Sequence, residues 1–304
     1  MRIICDIHIS YLVETVRKEW SDVDICPMEP EQIDADAVRN ADVLVVRTRT
    51  KVNEALLAGS KVQLVCTATI GFDHIDTAYC ETHGIRWMSC PGCNAQAVCD
   101  YIDEALNEVN ANGTIGVVGV GHVGSLVAQM AERKGLKVLL NDPPKGIGVS
   151  LDEIAQNCDI ITFHVPLDSS TYHLCDEAFF NKSKPGALII NAARGGVVDE
   201  QALLHSGHPY ILDTWENEPH LNKDVLANAL RASMHIAGYS VEGKRNASQM
   251  CLDTIAKQFG LPPITIDPTT AYGDTAYGWL ERITRQLQSQ PEHFEDLRKN
   301  YPLR

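Results

Sequence analysis

Short apolar runs and longer amphipathic stretches alternate along the chain, which is the pattern of a parallel sheet covered by helices. A first series of candidate strands runs from Arg2-Ile3-Ile4 through 41–46 and 62–66 to Ile85-Arg86-Trp87-Met88, with helical spacing between them. It ends near Pro91-Gly92. A helical stretch from about Gln96 to Val109 leads through Asn110-Ala111-Asn112-Gly113 into a second series, at 114–118, 137–140, 160–163, 187–191 and 210–212. Beyond Gly238 a helix is predicted from about Gly243 to Phe259, Pro262-Pro263 interrupts the chain, and a polar tail rich in Gln, Glu and Arg follows. No internal repeat or low-complexity tract is visible. The class expected is α/β.

Composition narrows the partners. The 304 residues hold 40 acidic and 26 basic side chains, a net charge of -14, which is the wrong sign for general attraction to nucleic acid or an anionic bilayer. An anionic ligand would need a local cluster of cations and backbone N–H groups. No apolar run approaches the roughly 18 residues of a membrane span, and Met1-Arg2-Ile3-Ile4-Cys5-Asp6 reads as a strand ending in a carboxylate, not as a signal peptide. A cytoplasmic protein is expected. Its 10 cysteines then read as free thiols, and Cys90-Pro91-Gly92-Cys93, which lacks a second pair, as a Pro-Gly turn without metal.

The clearest motif is Gly119-Val120-Gly121-His122-Val123-Gly124. An apolar strand precedes it, a helix (Ser125 to Lys134) follows, and the next strand ends at Asp142. Gly119 suits a tight turn, Gly121 a close approach of backbone to a pyrophosphate at the helix N-terminus, and Gly124 tight helix–strand packing. Asp142 would accept from ribose hydroxyls and repel a 2′-phosphate. NAD is therefore expected over NADP, with Lys145 as the one feature pointing the other way.

A second constellation comes in three pieces, 191–196, 212–219 and 235–239. The first two end apolar strands and the third follows a loop, so Arg194, Glu218 and His235 can converge at the strand ends, where a nicotinamide would lie. Oxidation of a hydroxy acid needs an Arg for the carboxylate or developing carbonyl, a His for the hydroxyl proton, and a carboxylate to orient that His. Singly, each has another explanation: a surface salt bridge, a solvated loop, a structural histidine.

Together with the glycine motif, these segments resemble the D-2-hydroxyacid dehydrogenase family, in which Arg, Glu and His follow in this order. Stretches 67–76, 91–95, 141–144, 162–167 and 235–244 narrow the likeness to a branch acting on a phosphorylated hydroxy acid. It covers about residues 1–258 and returns at 296–301. The resemblance implies a Rossmann-type nucleotide domain and a flavodoxin-like lid in a split architecture: 1–93 plus about 243–260 as lid or substrate domain, 94–242 as NAD-binding domain, and 261–304 as a short C-terminal extension. Substrate would lie in a cleft that closes. It implies that Arg194, Glu218 and His235 are catalytic, that Asp142, Val165, Asp213 and Gly238 lie against NAD, and that Thr48, Thr69 and Tyr239 contact substrate. A homodimer is the expected assembly, with a trimmed interface because few residues follow Phe259.

Arg47, with Arg49 and Lys51 close by, forms a basic knot after the apolar run 43–46, the expected seat of a phosphate; a solvated surface cluster is the other explanation. Two further functions stay open, a dehydrogenase of an unphosphorylated acid and a catalytically silent NAD-binding regulator.

Overall fold

The computed structural model describes residues 1–267 and 278–303, and the chain divides into two compact units. The first comprises Met1–Asn94 and the segment from Ser240. Its sheet contains β1 (Arg2–Asp6), β2 (Asp24–Met28), β3 (Val43–Val46), β4 (Leu64–Thr67) and β5 (Arg86–Met88), all parallel, in the order β2-β1-β3-β4-β5. This is the flavodoxin-like order.

Its strands are apolar on both faces because both are covered. Ile3, Cys5, Val43, Val45, Leu64 and Cys66 pack with Ala247, Cys251, Leu252 and Ile255 of the helix Val241–Phe259. Their alternate neighbours Ile4, Leu44, Val46 and Val65 pack with Val38, Leu56 and Cys80 on the other side. The long helix thus returns from late in the sequence to one face of the first sheet. Ser240 caps it by accepting the Gly243 N–H at 2.9 Å. Cys66, Cys90 and Cys251 fill that face, with Cys90 and Cys251 sulfurs 3.8 Å apart. Contact with Cys251 and burial push the Cys90 thiol far above its ordinary range, so it behaves as an apolar filler. The Cys90–Cys93 segment is a turn, with Gly92 at φ 78°.

The second unit comprises Ala95–Tyr239 and the described residues 278–303. Its seven strands are β6 (Thr114–Val118), β7 (Lys137–Asp142), β8 (Ile147–Gly148), β9 (Ile160–Phe163), β10 (Leu188–Asn191), β11 (Tyr210–Leu212) and β12 (Arg231–Ala232). The order is β12-β11-β10-β9-β6-β7-β8, parallel except for β8. Strand order reverses at β6, between β7 and β9, and the strand ends beside such a switch point form a ligand crevice.

The tail differs from the expectation of a polar extension. Residues 261–267 pack on the first unit, where Trp20 donates to the Pro262 carbonyl at 2.9 Å and Ile264 and Ile266 join the core. Residues 279–289 form a helix in the second unit, and its Trp279, Leu280, Ile283 and Leu287 are buried in that core, as is Phe294 of the helix Phe294–Lys299. A stripe at 279, 280, 283 and 287 is helical spacing. The Gln, Glu and Arg between its members mask it. Each such side chain contributes about 1.5–3 kcal/mol when buried. Among the described residues no helix is long and apolar enough to cross a membrane.

Candidate active site

The loop after β6 is built by three glycines with three different steric reasons. Gly119 has φ 89°, and a Cβ there would stand 2.6 Å from the His164 carbonyl oxygen. At Gly124 a Cβ would meet the Gly119 carbonyl oxygen at 1.9 Å, so only glycine lets the helix His122–Arg133 seat against the loop. At Gly121, the N-cap of that helix, a Cβ would meet nothing within 4 Å. Space is therefore open where backbone N–H groups and the helix dipole favour a phosphate. His122 is exposed and Val123 half-buried on the first turn, and Val165 lines the other side of the loop.

Asp142 ends β7, nearly buried, and accepts the Val120 N–H at 2.9 Å. Lys145 folds back onto it at 3.6 Å and donates to the Val120 carbonyl at 2.7 Å. The cation that pointed toward NADP is thus tied to the carboxylate that points toward NAD. Open space at Gly121 and a carboxylate at the end of β7 fit a dinucleotide with a free ribose diol.

On β10 and β11 the strand ends carry the next groups. Asn191 anchors the Arg194 turn, donating from Nδ2 to the Arg194 carbonyl at 2.8 Å and accepting the Ala193 N–H at 3.0 Å. Arg194 itself is exposed, with one guanidinium donor on the Ala193 carbonyl at 2.8 Å. Gly195 follows, where a Cβ would collide with the Trp215 carbonyl group at 2.0 Å. The Arg194 turn therefore lies directly against the backbone that leads to Glu218.

Glu218 Oε1 accepts the Trp215 N–H at 2.8 Å, and Oε2 faces His235 Nδ1 at 2.8 Å. Burial pushes the Glu218 carboxyl up, but the His235 hydrogen bond and charge, the Trp215 N–H and the Arg298 guanidinium together hold it below the usual carboxylate range. An ionised carboxylate only accepts, so Nδ1 carries the proton and Nε2 holds the lone pair.

His235 has φ 57°, a left-handed conformation that costs a non-glycine residue on the order of 1–3 kcal/mol and persists only where its surroundings enforce it. Asp213 enforces it. The His235 N–H donates to the Asp213 carbonyl at 2.8 Å, and the buried Asp213 carboxylate accepts from Ser233 Oγ at 2.6 Å, Ile236 N at 2.7 Å and Ala237 N at 3.0 Å. Sequence reasoning expects a cofactor contact from Asp213; three of its interactions are with the loop that carries His235 and Gly238.

In the first unit, Arg47 makes a two-point ion pair with the fully buried Asp6, Nε to Oδ2 at 2.8 Å and a second donor to Oδ1 at 3.2 Å. The basic knot is therefore partly neutralised at its centre. Thr48, Arg49 and Lys51 are exposed. Lys244, on the first turn of the returning helix, is the cation that senses Arg47: partial burial and that guanidinium hold its ammonium below the usual lysine range. Thr69 closes a chain of donors, since His74 Nε2 lies 3.0 Å from Thr67 Oγ1, the two threonine oxygens are 2.6 Å apart, and Thr69 donates to the Gly71 carbonyl at 2.9 Å. Burial holds His74 below its usual range, in keeping with a neutral ring that donates from Nε2.

Three groups in the second unit escaped the sequence reading. Glu200, 3% exposed, accepts the Glu216 N–H at 2.7 Å. Burial pushes its carboxyl up to about 7; the Glu216 N–H works against this, and the charges of Glu216, Glu218 and Asp199 add to it. Burial also pushes His164 down to about 3, so it is neutral near pH 7. Arg298, from the helix Phe294–Lys299, lies over the Tyr239 ring, 5.8 Å from its centroid. No local signal marks these contacts, which join distant positions. Among the described residues no group of His, Cys, Asp and Glu could hold a metal.

Residues 100–237 match the family described as D-isomer specific 2-hydroxyacid dehydrogenase, NAD binding domain. The chain is 41% identical to an erythronate-4-phosphate dehydrogenase of Bacteroides thetaiotaomicron, an alignment covering 100% of this chain and 97% of that one. It is 37% identical to the protein of the same name from Porphyromonas gingivalis, over 99% and 92%. Among solved structures, NAD-bound 3-phosphoglycerate dehydrogenase of Entamoeba histolytica superposes with a TM-score of 0.71 at 24% identity, covering 86% and 95% of the two chains, a likeness that shows the fold.

Proposed function

The chain belongs to the erythronate-4-phosphate dehydrogenase family of D-isomer specific 2-hydroxyacid dehydrogenases, and from that premise we propose that it oxidises 4-phospho-D-erythronate at C2 to the 2-oxo acid, with Arg194, Glu218 and His235 as the catalytic residues. It is an NAD-dependent oxidoreductase, and the family reaction belongs to pyridoxal phosphate biosynthesis. The observation that carries the catalytic assignment is the 2.8 Å contact between His235 and Glu218.

NAD, when bound, supplies the hydride acceptor. His235 Nε2 takes the proton of the C2 hydroxyl as the C2–O bond becomes a carbonyl. Glu218 keeps the ring in the tautomer that leaves Nε2 basic and stabilises the imidazolium that forms. Arg194 binds the substrate carboxylate in two-point fashion, and its exposed guanidinium is suited to that. The glycine loop, His122, Val123, Asp142, Val165, Asp213 and Gly238 form the NAD site, with Asp213 acting also through the His235 loop. Arg47, Thr48, Thr69 and Tyr239 are assigned to substrate.

The domains follow the same reading. Residues 1–93 with about 243–260 make the substrate domain, 94–242 the NAD-binding domain, and the segment after 260 completes both cores. The family likeness carries a homodimer as the expected assembly. A cytoplasmic location fits ten cysteines that are all free.

The test is the absorbance of reduced nicotinamide with 4-phospho-D-erythronate, D-erythronate and D-glycerate. Binding energy from the remote phosphate should appear in turnover as well as in affinity, so the phosphorylated acid should react far faster. Equal rates on 4-phospho-D-erythronate and D-erythronate would replace this reading by a dehydrogenase of unphosphorylated acids. No turnover on any of the three, with NAD still bound, would leave a silent NAD-binding protein.

A further inference from the structure

The end of the chain brings a cation into the second unit that the assigned roles do not use. Arg298 sits on the helix Phe294–Lys299, whose Phe294 is anchored in the core, so the side chain is carried on a fixed base. Its guanidinium lies 5.8 Å from the Tyr239 ring centroid. Tyr239 itself follows the loop that holds His235 and is tied to it by its N–H, which donates to the Ile236 carbonyl at 2.9 Å.

Burial pushes the Arg298 guanidinium down, but Tyr239, by charge and hydrogen bond, with Glu218 and Glu295, more than compensates and leaves it above its usual range. The same proximity appears from the other side, where Arg298 helps hold Glu218 ionised. One guanidinium thus stands beside both Tyr239 and the carboxylate that orients His235.

Its carboxylate partners leave capacity unused. The nearest direct ion pair, to Glu295 on its own helix, is long at 3.6 Å, and the side chain keeps 27% of its surface exposed. Nε is buried without a hydrogen-bond partner. In the first unit, by contrast, Arg47 spends two donors on Asp6. A planar fork with unspent donors, partly desolvated beside a phenol, is a strong site for a phosphate monoester.

We propose that Arg298, together with the Tyr239 hydroxyl, binds the phosphate of the substrate and sets the preference for a phosphorylated 2-hydroxy acid. This rests on the oxidation proposed above. Arg194 serves the carboxylate, so a substrate with two anionic ends needs a second cation of this kind, and Arg298 touches substrate without taking part in proton transfer.

The test measures kcat/KM for 4-phospho-D-erythronate and for D-erythronate in the wild type, Arg298→Gln and Arg298→Lys, with NAD binding and melting temperature recorded for each. Arg298→Gln should lower kcat/KM for the phosphorylated acid by on the order of 100-fold, as loss of a charged, partly buried contact does. D-erythronate should change by less than about 3-fold, and Arg298→Lys should recover part of the loss. Inorganic phosphate should inhibit D-erythronate oxidation in the wild type and lose that effect in Arg298→Gln.

An equal fall on both acids would overturn the assignment and make Arg298 a clip between the last helix and Tyr239. If Arg298→Gln does not fold, the lysine variant and phosphate inhibition of the wild type decide; failure of phosphate to inhibit counts against the site. A wild type that does not prefer the phosphorylated acid defeats the proposed reaction itself. A preference that survives in Arg298→Gln defeats only this inference.

Discussion

The two units share one architecture, a parallel sheet with apolar residues on both faces, yet their strand ends treat polar groups in opposite ways. In the first, the carboxylate that ends β1 is buried and closed off by Arg47, and Thr67, Thr69 and His74 satisfy one another. In the second, the strand-end carboxylates hold loops: Asp142 takes a backbone N–H of the glycine loop, and Asp213 fixes the segment around His235. Arg194 is left exposed and His235 holds an unprotonated nitrogen. The difference teaches that the sheet supplies positions only. Whether a charge at such a position stabilises the fold or does chemistry depends on what neutralises it.

That contrast can be broken most sharply at His235. His235→Ala should lower turnover by on the order of 100-fold or more with NAD binding nearly unchanged, the mark of a lost proton-transfer group. Wild-type turnover in that variant would take His235 out of the mechanism.

Arg47 should show the opposite profile. Removing one partner of a buried ion pair costs on the order of 3 kcal/mol, so Arg47→Gln should lower the melting temperature by several degrees, and adding Asp6→Asn should restore much of the loss. A stable Arg47→Gln with poor turnover would instead place Arg47 wholly on the functional side.

The smallest effect belongs to Glu200. Its carboxyl is raised in the fold to about 7 from an ordinary 4.5. The folded state therefore holds the proton more tightly, and this group's stabilisation is complete below about pH 4.5 and is lost as pH rises through 7. Glu200→Gln keeps an acceptor for the Glu216 N–H without the charge. Its melting temperature relative to wild type should rise between pH 5 and pH 8, by a degree or two at most on the order-of-magnitude scale of single sites. A difference that is flat with pH would mean that Glu200 titrates in its ordinary range.

Local pattern explains what could be read beforehand. Strands such as Val43–Val46 and Ile160–Phe163 are continuous apolar runs, and the glycine motif sits between a strand and a helix, so fold class and cofactor were legible. Arg194 and Asp213 stand just after apolar runs and draw notice for that reason. The contacts that give them meaning are long-range. Asp6 and Arg47 are separated by 41 positions and His235 and Glu218 by 17, distances over which no periodicity carries information. Arg298 and Tyr239 pair across a stretch that includes an entire helix of the other unit. The helix Trp279–Ser289 was missed although its stripe has the right period, because Gln, Glu and Arg dominate its composition.

That helix also decides how the second sheet ends. β12 is an outermost strand, and an outermost strand offers bare backbone groups on which another chain can nucleate. Here a side chain takes the place of a neighbouring strand: Thr284 Oγ1 accepts the Ala232 N–H at 2.8 Å and lies 3.1 Å from the Ala232 carbonyl oxygen. One hydroxyl, held in register by a buried helix, thus blocks the template on that side, and the same segment that carries Arg298 protects the chain from edge-to-edge self-association.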